Sequence, residues 1–167
     1  PMPHRCPDAQ MLGVDRDGAF AQELVLPARA VHPISDHLTW EQAAYPEPVA
    51  ASMAPLEANL PRAAPTPVYG HDRTGQLTAQ VLRAYGHEDV TVCALGSDLA
   101  PASFEVAVET RATPETLSAL TQALAPGGTL VLKSRPAAPV AVDLRALLAR
   151  ELTLRSTRYA PFEHAIE

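Results

Sequence analysis

The sequence predicts an α/β fold, a Rossmann-like and mostly parallel sheet with helices on both faces. Three observations predict it. From residue 68 onward, short apolar runs alternate with amphipathic stretches in the order strand, helix, strand, strand, helix, strand, helix, strand. A glycine-bearing turn, Gly70-His71-Asp72-Arg73-Thr74-Gly75, joins the first of these strands to the first helix. The chain has 167 residues, enough for one compact domain, and at that size folding removes about two thirds of the chain surface from water.

Residues 19–27 (AFAQELVLP) alternate apolar and polar, with Phe20, Leu24 and Leu26 on one face, which predicts a short half-buried strand. Residues 30–34 read as a second short extended piece. Thr39 is a good N-cap with Gln42 three residues on, a capping box. The helix it opens is expected to break at Pro46 and Pro48 and to resume over 49–56. Residues 61–67 form a Pro/Ala linker, the expected subdomain boundary.

After the linker come a strand at 68–69, the glycine turn and a helix over 76–85. That helix carries Leu77, Val81, Leu82 and Tyr85 on one face and ends at Gly86. Residues 90–93 read as a buried strand and 104–108 as another. Thr113 caps a helix with Pro114 at its first position and Leu117, Leu120 and Leu124 on its buried face. Pro126-Gly127-Gly128 should end it, before a strand at 129–133, a helix at 143–150 and a last strand at 152–154.

Hydrophobic residues make up 47% of the chain and charged ones 19%, an ordinary balance for a soluble domain. Net charge is -6 and the basic residues are scattered, which argues against nucleic acid as a partner. No apolar run approaches the ~20 residues of a membrane span, and none at the N-terminus resembles a leader. The two cysteines, Cys6 and Cys93, make no disulfide framework and suit a cytoplasmic setting. Seventeen prolines, about twice ordinary usage, cluster between elements.

Taken in order, several pieces of the chain resemble the zinc-type members of the medium-chain dehydrogenase/reductase superfamily, which include alcohol, threonine and polyol dehydrogenases. They are Gly18-Ala19-Phe20-Ala21-Gln22-Glu23, Trp40-Glu41-Gln42-Ala43-Ala44, Glu47-Pro48-Val49-Ala50, the glycine turn, residues 104–110 and residues 125–131. The resemblance implies a dinucleotide-binding sheet over 61–167, preceded over 1–60 by a remnant of the GroES-like catalytic β-domain and its connecting helix. It also implies NAD(P) as the cofactor, facing Gly70, Asp72, Arg73, Thr74, Gly75, Thr110 and Lys133.

The departures from that pattern set the functional expectation. The Cys and His that hold the family's catalytic zinc have no counterpart here, and Glu47 resembles only a third ligand of polyol dehydrogenases. Zinc needs three protein ligands, so no metal and no catalytic residue are expected. Cys6 resembles one of four cysteines of the structural zinc lobe, and His4 beside it does not complete a site. Asp72 stands at the middle glycine of GxGxxG, where it either caps the helix or meets the cofactor. Ala94 stands where the ribose-binding acid should be. Only five residues, 99–103, separate Asp98 from the strand at 104, too few for the family's helix–strand–helix step, so an edge strand is expected to be missing. Pro65 and Pro67 should shorten the first strand.

His32, His37, His71, His87 and His164 read as separate surface residues, and Lys133, the single lysine, as a strand-end residue either solvated or facing an anion. Three functions fit. The first is a degenerate dehydrogenase-like protein without zinc chemistry, serving as a binding or assembly module with at most weak NAD(P) binding. The second is an NAD(P)-dependent alcohol dehydrogenase-like oxidoreductase with altered cofactor contacts or completed by a partner chain. The third is a relic without selected function. The unpaired strands over 18–34 call for a protein partner, by default a second copy. In the family, strands that 129–133 and 152–154 resemble join across a two-fold axis.

Overall fold

Each strand expected after residue 65 finds a parallel neighbour. The computed structural model describes residues 6–166. Its strands are β1 (Thr66–Tyr69), β2 (Val90–Cys93), β3 (Phe104–Glu109), β4 (Leu124–Leu132) and β5 (Thr153–Ser156). They form one sheet in the order β2-β1-β3-β4-β5, every pair parallel. The helices are α1 (Trp40–Ala43), α2 (Pro46–Met53), α3 (Arg73–Ala84), α4 (Pro114–Ala123), α5 (Leu144–Ala149) and α6 (Glu163–Ile166). Among them none is long and apolar enough to cross a membrane.

β2 is the edge of the sheet, and residues 94–103 hold turns but neither helix nor strand, so the edge strand expected to be missing is missing. Pro67 sits inside β1 without breaking it. Thr66 N–H reaches Asp89 and Gly70 N–H reaches Cys93, at 2.8 and 2.9 Å, so even-numbered residues face β2 and Pro67 faces β3. Pairing of β1 with β3 begins only at Val68, beyond the residue that has no N–H to give.

The pleat of the sheet sorts the core into two layers. Val68, Val106, Val108 and Val131 pack with Leu82 of α3 on one face. Tyr69, Ala107 and Leu130 pack with Leu117 and Leu120 of α4 on the other. Fully burying each such aliphatic side chain contributes about 1.5–3 kcal/mol.

Helix ends are satisfied locally. Gly86, at φ +86°, lets its own N–H reach Arg83 and the N–H of His87 reach Leu82, the paired bonds that close the end of α3. Arg150 donates to the carbonyls of Thr121, Gln122 and Leu124, the otherwise orphaned end of α4. The capping box at Thr39 forms as expected.

Several expectations are corrected. Residues 19–27 and 30–34 form no strand; the described structure there is a 3-10 turn at Ala28–Ala30. No strand lies beside them to take up their N–H and C=O groups, and Phe20 is fully exposed. Pro46 starts α2 rather than interrupting a helix, because the first helical position needs no N–H. A 3-10 stretch, Ala54–Ala58, then follows. Helix α3 begins at Arg73, three residues early, since Asp72 caps it. Pro126-Gly127-Gly128 does not close a helix but lies within β4, whose register with β3 shifts between Phe104 and Val106. Helix α6 is additional to the expected elements. His87 is buried, not at the surface. Its ring nitrogen Nδ1 lacks a partner, and desolvation, then the nearby Arg62, push its pKa down. His32 lies 3.8 Å from Glu163 and against Phe162.

Candidate functional site

The chain runs from β1 outward to β2 and then returns to place β3 on the other side of β1. At such a reversal a crevice opens beyond the carboxyl ends of the strands. A cleft of about 450 Å³ lies there, walled by the start of α3, the residues after β3, the residues after β4, and α2.

The glycine turn is locked against β3. Gly70 adopts φ +134°, and a Cβ on it would lie 2.2 Å from Thr110 Oγ1. A Cβ on Gly75 would lie 1.7 Å from the Gly70 carbonyl oxygen. Thr110 donates both its N–H and its hydroxyl to the Tyr69 carbonyl, at 3.1 and 3.2 Å. These glycines therefore serve close packing of turn, helix and strand. Asp72 Oδ1 accepts the Gly75 N–H at 3.0 Å, so the helix N-terminus is capped by its own carboxylate.

Of the residues expected to face a cofactor, Asp72, Arg73, Thr74, Thr110 and Lys133 line the cleft, while Gly70 and Gly75 lie behind it. Arg111, Arg135 and Arg158 join them, giving five cations against two carboxylates, Glu47 and Asp72. Among the described residues none of the five is in a salt bridge. Lys133 is half-buried. Desolvation and then Arg135 push its pKa down, while Glu47, Glu109 and Asp72 pull it back.

Glu109 lies beneath this group with no exposed surface. Its Oε2 accepts the backbone N–H groups of Lys133 and Ser134 at 3.3 and 3.4 Å, and its Oε1 has no partner. Burial pushes its pKa up against those hydrogen bonds and Lys133. Sequence reasoning passed over Glu109. The available signal was an acid closing an alternating strand at its carboxyl end. The rim is braced by Tyr159, whose hydroxyl donates to Glu47 Oε1 at 2.9 Å. The guanidinium groups of Arg135 and Arg158 lie 5.0 and 5.7 Å from its ring centre.

A zinc ion does not fit the described residues. No three His, Cys, Asp or Glu side chains come together among them, Glu47 already accepts the Tyr159 hydroxyl, and Cys6 is exposed. His4 lies outside the described residues. Ala94, directly after β2, is exposed and offers no carboxylate to a ribose hydroxyl.

No family model matches the chain. L-threonine 3-dehydrogenase of Stenotrophomonas maltophilia (strain K279a) is 41% identical over 59 residues, 35% of this chain and 17% of that protein. In fold, 98% of this chain matches 58% of a protein described as a zinc-binding dehydrogenase from Sinorhizobium meliloti 1021, bound to NADP, with TM-score 0.83 and 20% identity. It likewise covers 58% of galactitol-1-phosphate dehydrogenase from Escherichia coli, with TM-score 0.82 and 18% identity. Sequence, over part of the chain, and fold support the medium-chain dehydrogenase/reductase superfamily. This chain spans less than two thirds of the length of these relatives.

Proposed function

We propose that the chain is a dehydrogenase-type binding module that holds an anionic ligand in the carboxyl-edge cleft and takes no direct part in zinc-dependent alcohol chemistry. One observation carries this reading: five cations converge on the cleft with no salt bridge among the described residues, while Asp72 fills the helix N-terminus that would meet a pyrophosphate. NAD(P) then binds weakly. Two like charges ~4 Å apart repel by about 1 kcal/mol in water and about 4 at an effective dielectric of 20, roughly a five- to thousandfold loss. Calorimetric titration with NADH should show binding no tighter than the millimolar range, and Asp72→Gly should strengthen it. Micromolar NADH binding by the unaltered protein would overturn the reading.

The NADP-bound Sinorhizobium protein, built on the same scaffold, supports a second reading. In it this chain is the nucleotide half of an oxidoreductase completed by another chain. Exposed apolar side chains before residue 46, Phe20, Val25 and Trp40 among them, and the open edge of β5 support self-association. A dimer or larger is expected by light scattering at micromolar concentration, and a monomer counts against it.

A further inference from the structure

Resting on the reading of the cleft as an anion site, we propose that its ligand is a small phosphomonoester, held as a dianion by Arg111, Lys133 and Arg135. These three follow the ends of β3 and β4, so the anion sits on that side of the cleft, while Asp72 is committed to the Gly75 N–H at the start of α3. The charge imbalance sets the class. With five cations and two carboxylates on the wall, a carboxylate ligand leaves most of the excess uncompensated, whereas a phosphate dianion removes more of it. Guanidinium forks also match phosphate oxygens two at a time.

Lys133 adds an independent observation. It is half-buried, its charge opposed by desolvation and by Arg135, and among the described residues it has no salt-bridge partner. An anion between Lys133 and Arg135 relieves both costs at once. One neighbouring carboxylate, Glu109, is turned to the backbone N–H groups of Lys133 and Ser134 and so fixes the loop that carries both cations. The size of the cleft, about 450 Å³, lies in the lower half of the range of small-molecule sites, which suits a compact phosphorylated molecule.

The test is calorimetric titration of the whole chain, at low salt and pH 8, with glycerol 3-phosphate, lactate and NADH. Glycerol 3-phosphate should bind at least about tenfold more tightly than lactate or NADH. Its affinity should fall as pH drops through about 6, where a phosphomonoester takes up its second proton. Lys133→Gln should weaken it about tenfold or more. Arg135→Gln, at an exposed position, should do the same and guards against a folding defect in the first variant. Equal binding of lactate and glycerol 3-phosphate overturns the phosphomonoester and leaves the anion site standing. Tighter binding of NADH than of glycerol 3-phosphate also overturns it. Failure of all three to bind sinks the anion site as well. Unchanged affinity in both variants removes Lys133 and Arg135 from the ligand.

Discussion

Two segments of this chain carry nearly the same pattern and meet opposite fates. Residues 19–27 and residues 104–109 are both short runs of apolar residues interspersed with acidic or polar ones, each with a phenylalanine near its start. The second is β3, held between β1 and β4, with Val106 and Val108 fully buried. The first is not a strand, and its Phe20 and Val25 face solvent. The difference lies in the neighbours. β3 has β1 on one side and β4 on the other, and the α3 and α4 layers cover its faces, so its backbone and apolar side chains have partners that residues 19–27 lack. Alternation is a condition for a half-buried strand, and a partner is the other condition.

That contrast can be broken most forcefully in the core. Leu130→Ala and Leu82→Ala each remove a side chain with no exposed surface. Each should cost about 2–5 kcal/mol in urea unfolding. If Leu130→Ala leaves the midpoint unchanged, the sheet is not where the stability resides.

A pH series sharpens the same contrast, because both buried groups that should govern it lie in the sheet half, Glu109 in β3 and His87 after α3. Glu109 has a folded-state pKa above its ordinary 4.5, so its contribution is present below 4.5 and is lost as pH rises through the folded value. His87 has a folded-state pKa below its ordinary 6.5, so its contribution is present above 6.5 and is lost as pH falls through the folded value. Glu109→Gln should flatten the loss on the alkaline side of thermal unfolding profiles, and His87→Gln the loss on the acid side. Profiles unchanged in both variants would show that neither group is perturbed by folding.

The smallest effect belongs to the exposed segment. Phe20→Ala and Val25→Ala should change the stability of the isolated chain by no more than about 0.5 kcal/mol. A further loss that grows with protein concentration would place residues 19–34 in the interface of the expected dimer.

Legibility followed the range of the interactions involved. Helix caps at Thr39, Asp72 and Thr113 were readable because donor and acceptor lie three residues apart. The strands after residue 65 were readable from apolar runs, and the missing edge strand from the length of its bridge. The partnerless strands before residue 35 misled because pairing is a property of two segments and periodicity of one. In the site, the glycine turn and Lys133 were visible as motif and strand end. Arg111, Arg135, Arg158 and Glu109 were not, because they come from three places in the chain and converge only through the topology. His87 misled because burial by residues on other elements leaves no local mark.

The closure of the glycine turn on Thr110 also fixes an order of events. The hydroxyl of Thr110 reaches the Tyr69 carbonyl across 41 residues of sequence, and it sits where a Cβ on Gly70 would have to go. Bringing the two ends of such a segment together costs about 3 kcal/mol of chain entropy before any contact is made. β1 can pair with β2 and carry α3 between them as a local unit, but the turn that shapes one wall of the cleft must wait for β3. That wall of the cleft is therefore complete only once β3 is seated beside β1, a long-range condition that α3 and its strands cannot meet by themselves.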